Sequence, residues 1–132
     1  MNPRDVVIAT PTFNKGGSGN PRFHFECGTL EAACAVGYPV CVVDGSPDPH
    51  VAAVFRSPNL GEGHVFPDLH KGLGPCKRQS IYHAMEVALK NGARFIAMIE
   101  PEKTDIIRLL SQWLTPFDDG ADVVVAHRSA ES

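Results

Sequence analysis

Four short apolar runs constrain this chain more than anything else in it, because each one breaks at its end into polar residues. Val6–Ala9 leads into Thr10-Pro11-Thr12-Phe13-Asn14, and Val40–Val43 leads into Asp44-Gly45-Ser46-Pro47-Asp48. Phe95–Ile99 leads into Glu100-Pro101-Glu102, and Val123–Ala126 into His127-Arg128. Near-continuous apolar character, rather than alternation, marks strands buried on both faces, as in a parallel α/β sheet. In an open sheet of that kind all carboxyl ends of the strands lie along one edge, where ligands bind. Four separate stretches of chain therefore aim polar groups at one crevice.

Between these runs the spacing turns helical. Strands are expected at about 5–10, 40–43, 94–99 and 122–126, with a short one at 64–66. Helices are expected at about 24–36, 49–56, 76–91 and 104–114. Gly37 and Asn91-Gly92 are natural stops, Pro75 suits a first helical turn, and Thr104 an N-cap. In the 76–91 helix, Ile81, Met85, Ala88 and Leu89 recur at three and four spacing and are expected to face the core. Ile106, Ile107, Leu110 and Leu114 do the same further on. The stretch Asn14–Pro21 reads as an irregular, mobile loop. Its Gly16-Gly17-Ser18-Gly19 run has neither the Gly-Lys-Ser/Thr of a phosphate loop nor a dinucleotide-binding helix opening. The alternation of strands and helices argues a doubly wound α/β fold with a mostly parallel sheet and right-handed crossovers.

With 132 residues, 43% hydrophobic content and a formal charge of −3, one soluble globular domain is expected, and nucleic acid is not an expected partner. No apolar run reaches membrane-spanning length and no secretory leader is visible, so a cytoplasmic location is the expectation. Cys27, Cys34, Cys41 and Cys76 show no Cys-x-x-Cys spacing, which argues against zinc. Cys34 and Cys41 read as core thiols, and disulfides are not expected. His70 and His127 read as surface residues, and no nucleophile elbow or matched triad spacing is present.

Taken in order, these motifs resemble the nucleotide-binding half of a GT-A glycosyltransferase, closest in style to family 2. Thr10-Pro11-Thr12-Phe13-Asn14 is similar to the family's Pro-Thr-Tyr-Asn, and Val43-Asp44-Gly45-Ser46-Pro47-Asp48 to its Asp-rich second strand end. Lys71-Gly72-Leu73-Gly74-Pro75-Cys76-Lys77-Arg78 resembles its Gly-rich turn and basic helix start. Gly120-Ala121-Asp122-Val123-Val124-Val125-Ala126-His127-Arg128 resembles its Gly-Ala-Asp-Val-Val run. The likeness covers about 5–128. It implies Rossmann-like GT-A topology and a nucleoside-diphosphate sugar as ligand. Pro11, Thr12, Asn14 and Asp44 would lie near the nucleotide, and Lys71, Gly74, Arg78 and Arg128 near the phosphates or donor sugar.

Two departures from the family stand out. Glu100-Pro101-Glu102 replaces the Asp-x-Asp that holds a divalent metal, and Lys103 follows it directly. Glu100 and Glu102 remain the expected ligands for magnesium or manganese, because carboxylate oxygens suit both ions. The chain also stops shortly after Arg128, so the expected single domain, 1–132, lacks an acceptor-binding half. Hexose transfer to an unknown acceptor is the leading expectation. A non-catalytic nucleotide-binding or interaction domain is the alternative, and a nucleotidyltransferase a more distant one. An exposed last strand would favour self-association into a homo-oligomer.

Overall fold

The computed structural model describes residues 1–55, the backbone of 65–69, and residues 76–103 and 105–125. Strands β1 (Val6–Thr12), β2 (Val40–Asp44), β3 (Val65–Leu69) and β4 (Phe95–Met98) form one sheet in the order β3-β2-β1-β4. Every pairing in it is parallel. The chain thus steps from β1 outward to β3, then crosses back to place β4 on the other side of β1. That reversal makes the carboxyl end of the β1–β4 pair the switch point of the sheet.

Helices cover both faces. Val6 and Ile8 of β1 and Val40 and Val42 of β2 pack with α1 (Pro21–Val36), α2 (Pro49–Phe55) and α4 (Ile106–Trp113). Val7, Ala9 and Cys41 pack on the opposite face against Ala84, Val87 and Ala88 of α3 (Lys77–Asn91). The unbroken apolar runs therefore have their expected cause: both sides of the central strands are dry.

Several boundaries move, each for a local reason. Strand β1 runs two residues past the expected end, through Pro11 and Thr12. Its partner on that side is β2, where Gly45 N donates to Thr12 O at 2.9 Å. On the other side Ile99 N donates to Ala9 O at 3.1 Å, and the next rung would need an N–H from residue 11. Proline has none, so the β1–β4 ladder stops there and the two strand ends part. Helix α1 begins at Pro21 rather than 24, because Asn20 accepts from Arg22 N at 3.0 Å and caps it. The loop before it is not wholly irregular, since Gly17–Gly19 forms a 3₁₀ turn. Helix α1 ends on Gly37 at φ 106°, a left-handed position that glycine occupies without a Cβ penalty.

Strand β3 is displaced from 64–66 to Val65–Leu69 and includes Pro67, tolerated because this is the outer strand. Of the expected stripe on α3 only Ala88 is buried, joined by Ser80, Ala84 and Val87, whereas Ile81, Met85 and Leu89 are exposed. Small side chains let this helix sit close over Val7, Ala9 and Cys41, which leaves the larger ones outside. Helix α4 keeps its expected face, with Ile107, Leu110 and Leu114 buried. A short helix, α5 (Thr115–Asp118), follows it, and another 3₁₀ turn covers Pro3–Asp5. The fifth expected strand does not form over residues 122–125, and Val123 and Val125 are 77% and 76% exposed. Thr104 lies outside the described residues. Asp105 occupies the N-cap of α4 without a side-chain capping bond. No helix among the described residues is long and apolar enough to cross a membrane.

Candidate functional site

The sheet brings Thr12, Asn14, Asp44, Glu100 and Glu102 to its carboxyl edge, as expected from their positions after β1, β2 and β4. Parallel register sets Thr12 directly beside Asp44. The Thr12 hydroxyl donates to Asp44 Oδ1 at 2.7 Å, and the Ser46 hydroxyl donates to the same oxygen at 2.7 Å. Ser46 Oγ in turn accepts from the backbone N–H of Asn14 at 2.8 Å. One carboxylate oxygen thus ties the ends of β1 and β2 together. Thr12, Asn14 and Asp44 are all buried. Asp48 accepts from His50 N at 2.9 Å at the start of α2.

Asn14 also reaches the opposite way, donating from Nδ2 to Glu26 Oε1 at 2.5 Å. Glu26 is fully buried in the middle of α1, a functional group that motif matching overlooks. A signal was available: Glu26 lies on the stripe Phe23-Glu26-Leu30-Ala33, where its neighbours at three and four spacing enter the core. Burial pushes its carboxyl up to about 7, with Glu102 and Asp44 adding to the rise and the Asn14 bond and Arg22 opposing it. Among the described residues, Thr10 Oγ1, Asn14 Oδ1, Glu26 Oε2 and Glu102 Oε2 are buried without a hydrogen-bond partner. Such orphans are unusual, since buried polar atoms are nearly always paired.

The acidic pair after β4 is less free than its sequence suggests. Lys103 Nζ lies 2.9 Å from Glu100 Oε2, and Arg22 Nη2 lies 3.2 Å from Glu102 Oε1. Each carboxylate has its own cation, and no group of three or more His, Cys, Asp or Glu among the described residues is placed to hold a metal. The donor set therefore does not fit a prepared divalent site. Pro101 between the two acids is buried and Glu100 is exposed.

Helix α3 opens beside the same edge, with Cys76 at its N-cap and Cys76 Sγ 4.0 Å from Thr12 O. Lys77 and Arg78 follow, both exposed. Lys71, Gly74 and Arg128 lie outside the described residues, as do His70 and His127. The four cysteines are free thiols. Burial raises Cys27 and Cys34 to about 11 and Cys41 to about 12, so none of these three is an activated nucleophile. Cys34 is only half-buried, less enclosed than the core position expected for it.

A cleft of about 880 Å³ lies along the outer edge of β4, lined by Met98, Glu100, Lys103, Trp113 and Val125 among others. It shares Glu100 with the polar edge but not Thr12, Asn14 or Asp44. A smaller one of about 450 Å³ lies on the same side, between Met85, Leu89, Phe95 and Val123. Comparison with protein-family models, with curated proteins and with solved structures returns no match for this chain.

Proposed function

We propose that the chain is a nucleotide-binding domain of GT-A character that takes a nucleoside-diphosphate sugar at the carboxyl edge of its sheet and serves hexose transfer. The observation that carries this reading is the meeting of the β1, β2 and β4 ends at one switch point, with Asp44 knotting the first two. In this reading Thr12, Asn14 and Asp44 shape the edge, and Pro11 keeps β1 and β4 apart so that a ligand can enter. The exposed Lys77 and Arg78 at the start of α3 face the diphosphate, where they offset the charge that develops as the nucleoside diphosphate departs. Free backbone N–H groups of that helix turn supply further donors.

A second reading, a binding domain without transfer, is favoured by the ion pairs that occupy Glu100 and Glu102. Calorimetric titration with UDP and GDP, with and without manganese, separates the readings. Saturable binding weakened by Arg78→Ala is expected, with little gain from manganese. Binding that requires manganese and is lost in Glu100→Ala/Glu102→Ala would return the acidic pair to a metal-holding role. No binding of either nucleotide to the folded chain would sink the nucleotide reading altogether.

A further inference from the structure

Asn14 and Glu26 each leave one oxygen without a partner, and the two atoms are complementary. Asn14 Nδ2 already donates to Glu26 Oε1. The orphaned atoms are Asn14 Oδ1, an acceptor, and Glu26 Oε2, which becomes a donor when it carries a proton. A single proton on Oε2, donated to Asn14 Oδ1, would satisfy both atoms and close a ring of two hydrogen bonds between amide and acid. We propose that below neutral pH Glu26 is held as a neutral carboxylic acid in this two-bond ring, and that its proton fastens the loop after β1 to helix α1.

The surroundings favour the neutral acid. Both side chains are fully buried, and an unpaired carboxylate there would be costly. The cation nearest in sequence, Arg22 one turn earlier on α1, is engaged with Glu102 Oε1 at 3.2 Å. Glu102, from the β4–α4 connection, and Asp44, from β2, both add negative potential, and Arg22 is the charged group that opposes them. The carboxyl is raised accordingly, to about 7.

The ring matters because of what Asn14 holds. Its backbone N–H is on Ser46 and its carbonyl accepts from Gly17 N at 3.1 Å. Asn14 is thus the point where the β1 end, the β2 end and the Gly17–Gly19 turn meet. Glu26 is a positioning residue in this scheme. Loss of its proton sets Oε2⁻ against Asn14 Oδ1, and one of the two bonds is lost. This assignment is independent of what binds at the edge.

The sign of the linkage follows. A carboxyl at about 7 in the folded chain and 4.5 when unfolded contributes stability below 4.5 that is lost as pH rises to about 7. Within that window the Glu26 contribution to the unfolding equilibrium constant grows roughly tenfold per pH unit. Glu26→Gln is a permanent copy of the protonated state, because its amide donates to Asn14 Oδ1 and accepts from Asn14 Nδ2. Two measurements test the idea. Carbon NMR titration of the Glu26 side-chain carboxyl in the native protein is expected to show an uncharged acid at about pH 6 and a midpoint near neutrality. Thermal unfolding of Glu26→Gln is expected to match the native chain at acid pH and to exceed it at about pH 8. A carboxyl midpoint in the ordinary glutamate range would overturn the proposal. So would a Glu26→Gln chain less stable than native across the whole range, the result expected if Oε2 carries a charge that holds a cation or a water. Should the variant fail to fold, the titration on the native protein still decides.

Discussion

The carboxyl end of the central strands, β1 and β2, and the outer edge of β4 are built in opposite ways. At the end shared by β1 and β2, polar side chains are buried and bonded to one another across three elements. Along the outer edge of β4, side chains are apolar and open, with Met98 exposed and Leu89 85% exposed nearby. The first region spends its polar groups on internal order, while the second leaves apolar area in contact with solvent. Polarity therefore does not mark the accessible part of this molecule. The residues that look most like ligand contacts in the sequence, Thr12, Asn14 and Asp44, are among the least accessible. Lys77 and Arg78 are exposed at the start of α3, whereas Glu100 and Lys103 are tied to each other at 2.9 Å.

Substitutions sharpen that contrast. The largest effect is expected at Asp44. Asp44→Ala strips the acceptor from two hydroxyls at once and is predicted to cost about 3 kcal/mol in denaturant unfolding, from about 1–3 kcal/mol per orphaned group. A cost below about 1 kcal/mol would mean that the knot is ornamental. On α3, Ala84→Leu should cost about 2 kcal/mol by overpacking against the sheet. Leu89→Ala on the same helix should stay within about 0.5 kcal/mol. The reverse ranking would restore the stripe expected from spacing alone. Asn14→Ala is predicted to cost about 2 kcal/mol at acid pH, where the ring with Glu26 is closed, and less at alkaline pH, where half of it is already lost. A cost that does not change with pH would separate Asn14 from the Glu26 proton. Arg22→Ala, at a half-exposed ion pair, is expected to change stability by about 0.5 kcal/mol. Its clearer readout is the Glu26 carboxyl, which should rise further once the opposing Arg22 charge is gone. A Glu26 midpoint that stays put would show that Arg22 does not reach it. Smallest of all is Val123→Thr on the open side, predicted to be silent within about 0.5 kcal/mol. A marked loss there would mean that the β4 edge is covered in solution.

The strands of the carboxyl edge were legible because their signal is local and strong. A run such as Val40-Cys41-Val42-Val43 has few alternatives to a buried strand, and Asp44-Gly45-Ser46-Pro47 few alternatives to a turn. Helix ends at Gly37 and Gly92 were equally plain, since both take a left-handed conformation. The stripe on α3 was misread because hydrophobicity alone favours Ile81, Met85 and Leu89, whereas close helix–sheet packing favours alanine and serine. The run Val123-Val124-Val125 has the composition of a strand, but a strand also needs a partner edge within hydrogen-bonding distance. Composition carries no information about that.

Residue order was sufficient for the α/β class, the parallel character of the sheet and the edge to which its polar groups go, because those follow from apolar continuity, turn chemistry and crossover handedness between neighbours in the chain. The β3-β2-β1-β4 order, the burial of Asn14 with Glu26 and the pairing of Glu100 and Glu102 with separate cations emerge only in the folded chain. Each of those depends on groups distant in sequence sharing a dry or half-dry space, where desolvation and the choice of partner, rather than local propensity, set the outcome.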